Sequence, residues 1–290
     1  MRLRTREALS GWGIVSTYLA YMAVFWAYPF VWMLILAFTR WNFFGKPKFY
    51  GLGNFIKLFQ DDLFWRIFLN TLNFIVYFLP MVFAGAILLA LALDRMRYFK
   101  TFVALSFLVA NVSSGVAYSI IFMNIFSDVG PLNKFLYRAF GITIPWFSDP
   151  NLAMFTIALM VTWKFVGYYG LILYAGIQAI PKSLYEAAEL DGATKWIKFW
   201  RITVPLINPA IVTVLIFALN LSFRIFTEPY MITGGGPMNR TLTFMMYMYS
   251  TAFQRIKPSY ATAVAIITAL INFGVIILVR KLVEREVDIV

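Results

Sequence analysis

Six apolar runs, near residues 14–38, 67–93, 101–126, 152–179, 208–232 and 260–279, divide this 290-residue chain. Each reaches the roughly 20 residues that a helix needs to cross the hydrocarbon core of a bilayer. In lipid every backbone N–H and C=O must find its partner within the protein, which leaves helices or a closed barrel. No alternation of apolar and polar residues persists along the chain, which argues against a barrel. With 61% hydrophobic and 19% aromatic residues, and a mean hydropathy of +0.76, lipid is the main solvent. The expected fold is an all-α integral membrane protein with six transmembrane helices. Pro29, Pro80 and Gly85 fall inside these runs, where a packed membrane bundle tolerates them.

Cysteine and histidine are both absent. There is no disulfide, no thiolate metal site, and neither the commonest general base nor the commonest transition-metal ligand. No catalytic residue and no metal site is expected. The net charge of +12 sits mostly in the short connections between apolar runs, which fits cytoplasmic loops better than nucleic-acid binding. With the N-terminus inside, the inner segments 1–13, 94–100, 180–207 and 280–290 hold 13 Lys and Arg in 59 residues. The outer segments 39–66, 127–151 and 233–259 hold 10 in 80. The density bias gives both termini to the cytoplasm, and "DRMRYFK" (Asp94–Lys100) is its clearest contributor. The start "MRLRTREALSGWG" is basic, but the apolar run after it is long and has no small-residue cleavage site, so it reads as a retained first helix and not a signal peptide, with a cytoplasmic segment at 1–13 ahead of a membrane domain over 14–290. The first outer loop, "RWNFFGKPKFYGLGNFIKLFQDDLFWR", is aromatic and amphipathic. It suits the membrane interface, where Trp and Tyr sit, or a docking face.

One inner connection is unlike the rest. "YEAAELDGATKWIKFWRITVPL" (Tyr185–Leu206) is charged and helix-prone. Ser183 and Glu186 have capping-box spacing, with Ser183 as the expected N-cap. Gly192 is placed to end that helix in a left-handed conformation. A second helix is expected from about Thr194 to just before Pro205, with Trp196, Phe199, Trp200 and Thr203 on one face and Lys195, Lys198 and Arg201 on another. Ala187 and Ala188 allow a partner to approach closely, and Glu186, Glu189 and Asp191 present an acidic edge suited to a basic cleft. The residues alone equally allow a juxtamembrane helix lying on anionic lipid.

Glu186-Ala187-Ala188, then three residues, Gly192, nine residues, and Ile202-x-x-Pro205 resemble the EAA loop of the ABC importer permeases. Val204 stands where leucine is usual. "GLGNF" (Gly51–Phe55), "NTLNF" (Asn70–Phe74), "AGIQAIP" (Ala175–Pro181), "TGGGP" (Thr233–Pro237), "NRTLT" and the terminal "VEREVDIV" resemble the binding-protein-dependent sugar permeases of the maltose and glycerol-phosphate type. The resemblance implies a type I ABC importer permease fold with cytoplasmic coupling helices in a loop at about 181–205. In that loop Glu186, Ala187, Ala188, Asp191, Gly192, Ile202 and Pro205 would engage an ATPase groove, Glu186 through an arginine there. It further implies a second, related permease subunit, two cytoplasmic ATPase subunits carrying ATP and Mg²⁺, an extracytoplasmic solute-binding protein, a carbohydrate substrate, and no cofactor in this chain. The sequence contains no G-x-x-x-x-G-K-[ST] phosphate loop: Gly45-Lys46 is followed by Pro47, and Gly234-Gly235-Gly236 by Pro237.

Three ionisable residues fall inside the apolar runs, where charge is costly: Lys164, Arg224 and Glu228. Lys164 lies roughly 18 Å and Arg224 roughly 21 Å along their helices at 1.5 Å per residue, near mid-depth. One reading pairs Arg224 with Glu228 at i, i+4 and lets Lys164 snorkel or bond a carbonyl. The other has them line a translocation cavity. Resemblance to the maltose-type permeases implies substrate contacts at Lys164, Phe165 and Tyr168, and at Leu221 and Ser222, with Arg224 nearby. Aromatic faces stack on sugar rings, and two basic residues at mid-depth suit an acidic sugar or phosphate ester. Asn220 and Asn272 more often bond between helices. Two rivals remain. A membrane enzyme would need a carboxylate or metal cluster that is not visible here. An ion-gradient-driven secondary transporter would show internal repeats and more embedded acids.

Overall fold

The computed structural model describes residues 12–13 and 15–284. The expected 1–13 segment lies outside them except for Trp12 and Gly13, and so does "VEREVDIV" except for Val283 and Glu284. Apart from a two-residue ribbon, all regular structure among the described residues is helical. Four helices are long and apolar enough to cross a membrane unaided, at Val15–Ala37 (α1), Asp62–Arg95, Ala153–Gln178 and Pro258–Val283. Two further candidates are bent pairs, which gives four to six candidate spans among the described residues.

The described residues form two compact units. One joins the chain up to Asp61 with Tyr247–Ile267. Its first helix, α1, contains a π-helical turn at Ala23–Ala27 immediately ahead of Pro29. Proline has no N–H and its ring crowds the carbonyl four residues back, and the wider turn relieves both. After α1 the chain makes an antiparallel ribbon of Thr39–Arg40 (β1) and Lys48–Phe49 (β2). A short helix follows at Gly53–Phe59 (α2). Asn54, from the "GLGNF" motif, is buried and donates to the carbonyls of Ala37 (2.8 Å) and Thr39 (2.7 Å). It satisfies the end of α1 where helical bonding stops. Thr39 and Ser259 share a hydroxyl hydrogen bond of 3.2 Å, which brings the end of α1 and the start of Pro258–Val283 to one level.

The second unit comprises Asp62–Met246 and the chain from Thr268 onward. Its centre is the contact of Asp62–Arg95 (α3) with Ala153–Gln178 (α7). Phe74, Phe78, Val82, Ala86 and Ala90 face Ile157, Val161, Tyr169 and Leu173, all buried. Small residues set the spacing. A Cβ on Gly170 would lie 2.9 Å from a methyl of Leu89, and one on Gly167 only 2.4 Å from the backbone oxygen of Phe107. Close backbone approach of this kind is how membrane helices gain packing energy without a hydrophobic drive between them.

The run expected as one span over 101–126 is not continuous. It forms Lys100–Val112 (α4) and Gly115–Ile125 (α5), whose axes differ by 98°. Ser113 and Ser114 are extended between them, and Ser113 Oγ donates to the Ala110 carbonyl at 2.7 Å. A serine hydroxyl offers the backbone an alternative to the helical ladder, and two in succession end it here. A helix at Pro131–Phe140 (α6) follows. The run expected over 208–232 also breaks. It forms Asn208–Arg224 (α10) and, after an extended Ile225, Thr227–Thr233 (α11). Thr243 Oγ1 donates to the buried Ile225 carbonyl at 2.8 Å, replacing the helical bond lost there.

Two sequence motifs meet in this unit. Asn70 of "NTLNF" is buried and donates to the carbonyls of Asn239 (2.7 Å) and Leu242 (3.0 Å) in "NRTLT". Thr233 of "TGGGP" shares a 2.6 Å hydroxyl contact with Thr241, and Gly234 and Gly235 adopt positive φ between them. Both motifs therefore hold the loop after α11.

Candidate functional site

The charged connection folds as a helix pair. Lys182–Leu190 (α8) starts after Pro181, whose φ of −59° and ψ of 131° give it the N-cap position, with no side-chain capping bond. The capping box expected from Ser183 and Glu186 does not form. Proline's fixed φ starts the helix two residues early, so Ser183 already lies inside it. The other end is as expected. Gly192 has φ +74°, the Ala193 N–H donates to the Ala188 carbonyl (2.8 Å), and the Gly192 N–H donates to that of Glu189 (3.0 Å). These are the paired bonds of a Schellman motif, with Gly192 in its left-handed position.

Thr194 caps the next helix, its Oγ1 accepting from the Ile197 N–H at 3.3 Å. That helix, Lys195–Leu206 (α9), continues through Pro205 instead of stopping before it. A π-helical turn at Phe199–Thr203 makes this possible, the same device seen ahead of Pro29. Trp196, Phe199 and Trp200 form one aromatic cluster with centroids 5.1–6.3 Å apart, as their spacing indicated.

Two side-chain contacts lock α8 against α9. Tyr185 Oη meets Thr203 Oγ1 at 2.9 Å, and Lys198 pairs with Glu189. Lys198 thus turns toward α8 instead of standing in an outward basic stripe. Its hydrogen bond and charge hold the Glu189 carboxyl below its ordinary pKa. Tyr185 and Leu206 rest on the bundle core, while Ile202 and Pro205 are half-buried. Of the other residues expected to engage an ATPase, Glu186, Ala187, Asp191 and Gly192 are exposed and Ala188 is partly covered. Leu190 stands at the apex, 91% exposed. Leu190 was not singled out from the sequence. The available signal was an apolar residue directly before the Asp-Gly turn of a charged loop.

The ionisable residues of the apolar runs assemble differently from the expected i, i+4 pair. Glu228 is buried in the first turn of α11, and its Oε1 lies 2.8 Å from Lys164 Nζ on α7. Arg224 is exposed and makes no ion pair among the described residues. The reason is the extended Ile225, which interrupts the helix between Arg224 and Glu228 and turns their side chains apart. Lys164 Nζ also lies 5.4 Å from the Tyr118 ring centroid and 5.9 Å from that of Phe165. The Tyr118 hydroxyl donates to the Met160 carbonyl. Gly115, at the break between α4 and α5, passes close by: a Cβ there would lie 3.5 Å from Lys164 Nζ and 3.1 Å from Thr227. Both breaks in the apolar runs therefore converge on one neutralised charge pair, the arrangement that hydrocarbon demands of embedded charges.

Of the other expected substrate contacts, Phe165 and Leu221 are half-buried against the core. Tyr168 is exposed and meets Phe217 of α10 with centroids 6.3 Å apart. Ser222 is buried and donates to the Ala218 carbonyl of its own helix at 2.8 Å. The Asn272 Oδ1 is buried with no hydrogen-bond partner, so the interhelical bond expected of it is not made through that atom.

Residues 63–287 match the protein family described as binding-protein-dependent transport system inner membrane component. The chain is 35% identical over 283 residues to the lactose transport system permease protein LacF of Rhizobium radiobacter, covering 94% of this chain and 91% of that one. It is 32% identical over 244 residues to the sulfoquinovosyl glycerol transport system permease protein SmoG of Agrobacterium fabrum, covering 83% and 79%. A solved structure of a bacterial ABC transporter involved in the import of the acidic polysaccharide alginate contains a similar fold. Its chain has a TM-score of 0.84 at 23% identity, covering 97% of this chain and 98% of that one.

Proposed function

Because this chain belongs to the family of binding-protein-dependent transport system inner membrane components, we propose that it is the permease subunit of an ATP-driven importer for a carbohydrate. The observation that carries this reading is the helix pair α8–α9. A left-handed glycine turn, a Tyr185–Thr203 hydrogen bond and a Glu189–Lys198 ion pair make it a stiff unit, and Glu186, Ala187 and Leu190 project from it. Such a projection transmits movement as a rigid body instead of absorbing it.

In this reading the pair points into the cytoplasm and seats in a groove on a separate ATPase subunit. Glu186 meets a basic residue there, and the small Ala187 and Ala188 admit close approach. Two such ATPases carry ATP and Mg²⁺, since this chain has no phosphate loop. A second, related permease completes the pathway, and a solute-binding protein delivers substrate on the opposite face. Movement of the ATPases tilts α8–α9, and Tyr185 and Leu206 pass the motion to the core on which they rest. Carbohydrate as substrate is supported by the lactose and sulfoquinovosyl glycerol permeases among the relatives. Lys164, Phe165, Tyr168, Leu221 and Arg224 are its candidate contacts. Ser222 can contribute only if α10 rearranges, because it is buried.

The test is co-purification followed by uptake. Tagged wild-type chain is expected to retain an ATP-hydrolysing subunit. Glu186→Ala is expected to retain less of it, or to hydrolyse ATP without uptake. Normal assembly and normal uptake by this variant would overturn the reading.

A further inference from the structure

A cavity of about 700 Å³ opens within the first unit, between the β1–β2 ribbon, α2 and the start of Pro258–Val283. None of its lining residues belongs to the helix pair or to the Lys164–Glu228 cluster. Six basic residues line it, Arg40, Lys46, Lys48, Lys57, Arg255 and Lys257, against one carboxylate, Asp61. That carboxylate is already engaged, accepting from the hydroxyls of Tyr247 and Tyr260. Lys57 and Arg255 sit over those same two rings, at 5.9 and 5.8 Å from the centroids. Arg40, Lys46, Lys48 and Lys257 pair with no carboxylate among the described residues.

The ribbon makes this arrangement unfavourable by itself. Arg40 and Lys48 are direct cross-strand partners, and like charges placed opposite each other destabilise a ribbon. Concave walls concentrate the resulting field. A further group awaits a partner: Thr251 lines the cavity, is 1% exposed, and its hydroxyl has no hydrogen-bond partner. The site is thus built for a ligand carrying several anionic oxygens, with room for more than a single ion.

Its position selects the ligand. The cavity lies where α1 ends and Pro258–Val283 begins, two candidate spans whose ends the Thr39–Ser259 bond holds together. Trp41 and Tyr50 line it, the residue types that sit at headgroup level. Trp32 and Ile35 in the last turns of α1, and Phe38 just beyond it, are exposed, an apolar surface available to acyl chains. We propose that this cavity holds the phosphate headgroup of an anionic phospholipid, its oxygens between Arg40, Lys48 and Lys46. The inference uses only the embedding of the chain in a membrane, so it stands or falls separately from the transport reading.

The test uses the assembled transporter, purified with its partner subunits. It is incubated with equal amounts of phosphatidylglycerol and phosphatidylcholine, and native mass spectrometry counts the lipid retained. Wild type is expected to retain phosphatidylglycerol preferentially. A basic residue near a membrane surface contributes about fivefold to anionic lipid affinity, so the double variant Lys46→Ala/Lys48→Ala is expected to lose about 25-fold. Lys134→Ala/Arg138→Ala, on α6, removes the same charge elsewhere and is expected to retain wild-type preference. The proposal is overturned if wild type shows no preference, if the ribbon variant retains as much as wild type, or if both variants lose equally. It is also overturned if the ribbon variant keeps its lipid but loses docking of the solute-binding protein in phosphatidylcholine vesicles. That outcome would assign the cavity to an acidic protein surface.

Discussion

Gly192 offers a clean test of whether the stiffness of the helix pair matters. It holds φ +74°, and a Cβ built on it meets nothing within 4 Å. Any penalty for a side chain therefore comes from the backbone alone and not from crowding inside this chain. For an ordinary L-residue the left-handed conformation costs about 1–2 kcal/mol, a shift of about 5- to 30-fold between the bent and straightened turn. Asparagine tolerates this conformation better, while a β-branched residue tolerates it worst. Gly192→Asn, Gly192→Ala and Gly192→Val therefore form a graded series. The assay is substrate uptake per ATP hydrolysed by the assembled transporter in proteoliposomes, loaded with its solute-binding protein. Coupling is expected to fall in the order Gly, Asn, Ala, Val, with subunit retention falling in parallel for Val. Wild-type coupling by Gly192→Val would refute the claim that the turn geometry transmits motion. Equal failure of Asn and Val would show instead that the site tolerates no side chain at all, which places a partner surface against it and removes the backbone explanation.

Three further outcomes are expected. Truncating one partner of the Lys164–Glu228 pair, as in Lys164→Met or Glu228→Gln, is expected to destabilise the purified protein by about 3–5 kcal/mol, because the other group is left buried and uncompensated. The double variant should recover much of the loss, and a thermal-unfolding cycle in detergent in which the two effects simply add would refute the pairing. Asn70→Ala removes two hydrogen bonds and leaves the Asn239 and Leu242 carbonyls without that donor. It is expected to cost about 1–3 kcal/mol, read as faster proteolysis of the loop after α11. The Glu189–Lys198 contact is expected to hold at neutral pH and to be lost only as pH falls through the lowered Glu189 pKa, below the ordinary value of 4.5. The separation of spin labels placed on the two helices at Leu184 and Ile197 should stay fixed down to that range, and a change already near neutrality would contradict the sign.

The parts of this molecule visible in its sequence are those written in short-range code. Lengths of apolar runs located the four uninterrupted spans, and the spacing from Glu186 through Gly192 to Pro205 located the helix pair and its turn. Hydropathy could not report the breaks at Ser113–Ser114 and Ile225, because it averages over windows in which two serines or one extended residue weigh little. Local spacing also misassigned two contacts. Arg224 and Glu228 stand at helical distance in sequence, yet the helix between them is interrupted, and the partner of Glu228 lies 64 residues away on another helix. Ser183 fits a capping box, but Pro181 takes the cap first. Motifs such as "NTLNF" and "NRTLT" were legible as resemblances, while their physical purpose, Asn70 tying down a loop, required coordinates.

The most direct measurement concerns Leu190. The chain has no native cysteine, so Leu190→Cys gives a unique attachment point at the apex of the helix pair for a benzophenone photo-crosslinker. In inverted membrane vesicles carrying the whole transporter, illumination is expected to give one principal protein adduct, with an ATP-hydrolysing subunit, whose yield changes when ATP is added. Adducts only with lipid, or with proteins on the extracytoplasmic face, would contradict the claim that this helix pair couples the membrane bundle to an ATPase.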